Sequence, residues 1–107
     1  MKVNECFKSL QGEGPDSGVP AVFLRLSGCN VRCSFCDTTY AFESGYELYV
    51  KTIASEIRSL SSGGLVVITG GEPLLQQKEL GGLLRELKGG YHFAVETNGT
   101  LPKPLWW

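Results

Sequence analysis

Leu65-Val-Val-Ile-Thr-Gly-Gly-Glu-Pro73 sets the class of the chain. Leu65 to Ile68 is an unbroken apolar run between a turn at Ser61 to Gly64 and the pair Gly70-Gly71, which reads as a buried strand. A helix is expected next, over Leu74 to Leu87, with Leu80, Leu83, Leu84 and Leu87 on one face and Gly89-Gly90 as its stop. Tyr91 to Val95 then reads as another strand. Upstream, Thr52 to Leu60 places Ile53, Ala54, Ile57 and Leu60 at helical spacing, with Thr52 as the expected N-cap. Ala21 to Leu26 is a strand that is apolar except at Arg25, and Val3 to Phe7 is a short first strand. Leu10 to Val19 reads as a loop, and Tyr40 to Tyr49 is irregular and aromatic, with a short hairpin as one option. Strand, loop, helix, strand, helix, strand is an α/β order, which predicts right-handed crossovers and a parallel sheet.

The chain has 107 residues, enough for a single compact domain over 1–107. Ten basic and eleven acidic residues leave a net charge of -1, which argues against nucleic-acid and membrane-surface partners. No apolar run approaches the roughly 18 residues that span a bilayer, and Met1 to Gly14 lacks the apolar core of a secretory signal. A cytoplasmic location is therefore expected, where thiols stay reduced and cysteines serve as metal ligands more often than as disulfides.

Cys29, Cys33 and Cys36 are spaced C-x3-C-x2-C. Three thiolates can hold three irons of an iron–sulfur cube and leave the fourth open to bind and activate a small molecule. Structural zinc prefers four protein ligands, and neither Cys6 nor His92 has the spacing to complete such a set, although zinc and inert thiols remain alternatives on the residues alone. Cys6 reads as an ordinary buried thiol. Gly70 and Gly71 allow backbone to approach a ligand closely, and Glu72 can accept from an ammonium group, although a plain turn before a helix accounts for the same residues. Arg25 needs a partner inside its apolar strand: a ligand carboxylate, which its planar fork suits, or a local Glu. The cysteine loop, the Gly-Gly-Glu stretch and Glu96-Thr97-Asn98-Gly99 each follow a strand, and that edge of a parallel sheet is where ligands bind.

Gly28-Cys-Asn-Val-Arg-Cys-Ser-Phe-Cys36 resembles the cluster loop of the radical S-adenosylmethionine superfamily, and Thr69-Gly-Gly-Glu-Pro73 resembles its GGE stretch. Within that superfamily, Ser9-Leu-Gln-Gly-Glu-Gly14, Gly18-Val-Pro20, Phe23 to Cys29, Cys36-Asp-Thr38 and Val95 to Thr100 resemble the 7-carboxy-7-deazaguanine synthases, so that the likeness runs from about Glu5 to Thr100. The resemblance implies the N-terminal part of a partial (β/α) barrel. It also implies a carbon–nitrogen lyase that converts 6-carboxy-5,6,7,8-tetrahydropterin into 7-carboxy-7-deazaguanine with loss of ammonia. That reaction serves queuosine and other deazapurines, and through queuosine the modification of tRNA. A radical activase acting on a partner protein and an inactive cluster-binding fragment are the alternatives.

By the same resemblance, Cys29, Cys33 and Cys36 hold a 4Fe-4S cluster, Phe35 packs near the adenine, and Gly70, Gly71 and Glu72 hold the methionine end of S-adenosylmethionine. Gln11, Gly12 and Glu13 are the expected pterin readers, Arg25 the partner of the substrate carboxylate, and Thr38 a ligand of Mg2+. Glu96 and Asn98 are expected to touch substrate or cofactor; a capped turn is the other reading. A flavodoxin or ferredoxin is the implied electron donor and a homodimer the implied assembly. Pro102 to Trp107 departs from the family's pattern and the later barrel strands have no counterpart, so a truncated or frameshifted product with an open sheet edge at Tyr91 to Val95 is expected.

Overall fold

The computed structural model describes residues 1–10, 18–28, 46–99 and 101. Its strands are β1 (Lys2–Leu10), β2 (Pro20–Leu26), β3 (Tyr46–Glu47), β4 (Gly64–Gly70) and β5 (Tyr91–Val95). Its helices are α1 (Val50–Leu60) and α2 (Gln77–Glu86), with a 3-10 turn at Pro73–Gln76 directly before α2. The strands form one sheet in the order β3-β1-β2-β4-β5.

The sheet is mixed, where a parallel one was expected. β2, β4 and β5 run parallel, as α/β crossovers require, whereas β1 is antiparallel to both β2 and β3. The stretch from 11 to 19 is too short for a helical crossover, so β1 folds back onto β2 as an antiparallel neighbour. β1 is also longer than Val3 to Phe7. Its register with β2 shifts between Val3 and Glu5, and pairing then continues to Leu10↔Pro20.

Both helices pack on one face of the sheet. Ile53, Ala54 and Ile57 of α1 and Leu80 and Leu83 of α2 share a core with Val3, Val22, Leu24, Leu26, Val66 and Ile68. α1 begins at Val50, two residues before the expected Thr52, because Val50 extends the apolar stripe by one turn and packs against that core. Thr52 is therefore inside the helix; Tyr49 is the N-cap and makes no side-chain capping bond.

The expected helix from Leu74 to Leu87 is split. Pro73 lacks an N–H, the Leu75 N–H donates to the Glu72 carbonyl in 3-10 fashion at 3.1 Å, and regular α-helix begins only at Gln77. Leu80, Leu83 and Leu87 are buried as the periodicity predicts. A turn through Gly89, at φ 94°, leads into β5.

Candidate functional site

Parallel pairing aligns the C-terminal ends of β2, β4 and β5. Arg25 is level with Thr69, and Leu26 with Gly70. Ile68 is level with Val95, and the Glu96 N–H donates to the Ile68 carbonyl at 2.9 Å, which places Glu96 just beyond the ladder beside Thr69. Arg25, Thr69 and Glu96 thus form a row across the sheet at the edge where ligands bind in α/β folds. Along β2, Arg25 alternates with the core residues Leu24 and Leu26 and so points away from the helices.

Among the described glycines, Gly70 has the least room for a side chain. It has φ 117°, and a Cβ built there would collide with the carbonyl oxygen and amide nitrogen of Leu26. Only glycine fits this position. From it the loop after β4 reaches across to the end of β2: the Gly71 N–H donates to the Leu26 carbonyl at 3.1 Å and the Glu72 N–H to the Gly28 carbonyl at 2.7 Å. Gly28, at φ 97°, is the residue before Cys29. The Gly-Gly-Glu backbone is therefore fastened to the stem of the cysteine loop.

Glu72 is fully buried, and its carboxylate is occupied within the protein. Oε2 accepts from the Leu74 N–H at 2.8 Å, Oε1 accepts from the Asn98 N–H at 2.7 Å, and the Thr97 hydroxyl lies 2.6 Å from Oε1 and 2.8 Å from Oε2. One side chain joins the loops after β4 and β5. Glu96 and Asn98, which the sequence nominated, are both exposed on the loop it holds.

Arg25 has a local partner. Its guanidinium lies 3.2 Å from the Glu5 carboxylate and 5.9 Å from the centroid of the Phe7 ring, and Phe7 stacks on Phe23 at 5.4 Å. Cys6, the neighbour of both Glu5 and Phe7, is partly buried against the helix-side core. Burial, and secondarily the charge of Glu56, pushes its thiol up to about 11, so it is protonated at neutral pH.

Cys29, Cys33, Cys36, Phe35, Thr38, Gln11, Gly12 and Glu13, which the sequence nominated, lie outside the described residues. Three contributors escaped the sequence reading. Thr97 was legible only as a member of Glu-Thr-Asn-Gly. Ser27, buried at the end of β2, donates its N–H to the Lys2 carbonyl, and Gln76 donates to the Ser27 carbonyl at 3.2 Å. No local signal marks Gln76 for that role.

The described residues contain no helix long and apolar enough to cross a membrane. The model of the radical SAM superfamily matches residues 24–106. The chain is 45% identical over 103 residues to the 7-carboxy-7-deazaguanine synthase of Koribacter versatilis, with 95% of this chain and 46% of that protein covered. It is 50% identical over 107 residues to the enzyme of that name from Hyperthermus butylicus, with 97% of this chain and 45% of that protein covered. The crystal structure of QueE from Escherichia coli superposes with a TM-score of 0.82 at 35% identity, covering 92% of this chain and 52% of that one. The chain spans about half the length of the curated relatives it matches.

Proposed function

The chain belongs to the radical SAM superfamily, and we propose that it is the part of a 7-carboxy-7-deazaguanine synthase that carries the cluster, with residues 1–107 as one core domain. The observation that carries this reading is the attachment of the Gly-Gly-Glu backbone to Gly28, one residue before the first cysteine of C-x3-C-x2-C. With the Gly71–Leu26 bond, that attachment holds the turn after β4 against the end of β2, where the cysteine segment begins.

The residues present fit the implied cofactors. Three thiolates suit an iron–sulfur cluster with one open iron, and the Gly-Gly-Glu turn is bonded to Gly28, the residue before the first of them. The chemistry supplied there is one-electron cleavage of the sulfonium of S-adenosylmethionine, which starts a radical reaction. In this reading Cys29, Cys33 and Cys36 hold the cluster, Phe35 packs on the adenine, and the Gly70 to Glu72 segment receives the methionine end.

The reaction is a ring contraction of 6-carboxy-5,6,7,8-tetrahydropterin with loss of ammonia, which makes the enzyme a carbon–nitrogen lyase. Arg25, in the edge row, takes the substrate carboxylate through its guanidinium fork, and the Phe7 ring and Glu5 hold that fork in place before substrate arrives. Gln11, Gly12 and Glu13 read the pterin edge, Glu96 and Asn98 close the site from the β5 side, and Thr38 offers a hard oxygen to Mg2+. A flavodoxin or ferredoxin delivers the electron, the enzyme works in the cytoplasm, and two copies pair.

The test is anaerobic reconstitution with iron and sulfide, followed by turnover. About four irons per chain are expected, with a reduced-state EPR signal that changes when S-adenosylmethionine is added. Incubation with the carboxylated tetrahydropterin should then yield the deazaguanine. Tight zinc with no iron–sulfur signal would overturn the cofactor assignment, and a responsive cluster with no deazaguanine product would overturn the substrate.

A further inference from the structure

Among the described residues, Glu72 is the one charged side chain with no solvent exposure. Burying a carboxylate is costly unless donors surround it, and here the Leu74 N–H, the Asn98 N–H and the Thr97 hydroxyl all lie within 2.8 Å. Its backbone N–H is committed as well, to the Gly28 carbonyl. A carboxylate that directly receives a ligand's ammonium group needs an oxygen facing the ligand. The Glu72 carboxylate instead faces the interior and is met by groups of its own chain.

We infer that Glu72 is a positioning residue: it ties the loops after β4 and β5 to Gly28 at the end of β2 and acts on S-adenosylmethionine through the placement of that backbone, not through its own carboxylate. This rests on the function proposed above. Through its N–H, Glu72 fixes Gly28, from which the cysteine loop departs. Through its carboxylate it fixes Thr97 and Asn98, 25 and 26 residues further along the chain. The distance from Gly28 to the Glu96–Asn98 segment is then set by one residue, through its backbone N–H on one side and its carboxylate on the other.

The clamp can be tested on the full chain without any cofactor, so its failure is distinct from failure of the proposed reaction. Amide exchange is followed at Leu74, Asn98 and Glu72 in the native chain and in Glu72→Gln, Thr97→Val and Thr97→Ser. Exchange at Asn98 is expected to rise about tenfold or more in Glu72→Gln, as follows from losing a hydrogen bond to a charged group. Thr97→Val should loosen Asn98 and the Glu72 N–H together, and Thr97→Ser, which keeps the hydroxyl, should restore both.

In cluster-loaded protein, the affinity for S-adenosylmethionine, read from the EPR change, should fall in Thr97→Val and recover in Thr97→Ser. Thr97→Val tests the idea even if Glu72→Gln does not fold. Native-like exchange at Asn98 in a folded Glu72→Gln chain would overturn the inference. Loss of cofactor affinity in Glu72→Gln together with native affinity in Thr97→Val would also overturn it, because that pattern identifies a direct ligand.

Discussion

Gln76 pairs with Lys2 as if it were a strand residue. Its Oε1 accepts from the Lys2 N–H at 2.6 Å, and its Nε2 donates to the Lys2 carbonyl at 3.0 Å. The same Nε2 reaches the Ser27 carbonyl, so a side chain from the 3-10 turn joins the start of β1 to the end of β2. Gln76→Leu removes all three bonds and is expected to cost about 1 to 3 kcal/mol, at up to about 1 kcal/mol for each partly solvated bond, with faster amide exchange at Lys2. Gln76→Glu keeps the acceptor but loses both donations, so its denaturation midpoint should also fall below that of the native chain.

Gly70→Ala should be far more damaging. The methyl group would meet Leu26 backbone, which cannot swing aside as a side chain can, and φ 117° is strained for any L-residue. A loss of about 3 kcal/mol or more is expected in chemical denaturation, with the β2–β4 amides losing protection first. A native midpoint in Gly70→Ala would show that the two backbones do not approach as closely as described.

Leu83→Ala removes a fully buried side chain from the shared core of α1, α2 and the sheet. A cost of about 2 to 5 kcal/mol is expected, measurable as a lower thermal midpoint. Leu75→Ala, at a position 46% exposed, should change stability by only about 0.5 kcal/mol.

The Cys6 thiol is held up to about 11 against an ordinary 9.0, first by burial and then by Glu56. Its alkylation at pH 8 should be slow compared with a free thiol, and its rate should climb toward pH 11. The sign for stability follows from proton binding. Between about pH 9 and 11 the unfolded chain has lost this proton and the folded chain keeps it, so stability contributed by the neutral thiol falls as pH rises through that window. Cys6→Ser should flatten this part of the pH profile.

Arg25 and Glu5 separate stability from binding. Their ion pair is partly exposed, with side-chain exposures of 23% and 45%, so Arg25→Lys should cost less than about 1 kcal/mol in folding. Under the proposed function, the same change removes the planar fork and should raise KM for the carboxylated pterin about tenfold, by the loss of a charge-assisted bond. An unchanged KM would remove Arg25 from the substrate site.

Much of the architecture was legible because it is local. The apolar run at Leu65 to Ile68, the helical spacing of Ile53, Ala54 and Ile57, and the stop at Gly89-Gly90 each state their structure within a few residues, since side-chain periodicity and backbone freedom act at that range. The cysteine spacing is equally local, and it nominates three candidate ligands for the cluster of the proposed function. The reversed direction of β1 and the split before α2 were not legible in this way. The first depends on what lies across the sheet, the antiparallel register onto β2, and the second on Pro73 and the Glu72 side chain capping the Leu74 N–H, a bond that leucine spacing does not signal.

The partners of Glu72, Gln76 and Arg25 belong to the same class. Thr97 is 25 residues from Glu72, and Lys2 is 74 residues from Gln76. Spacing and propensity identify which side chains can accept, donate or carry charge. Which of them meet is settled by strand order and register, because a hydrogen bond needs its two atoms within about 3 Å, and only the folded chain brings distant residues that close.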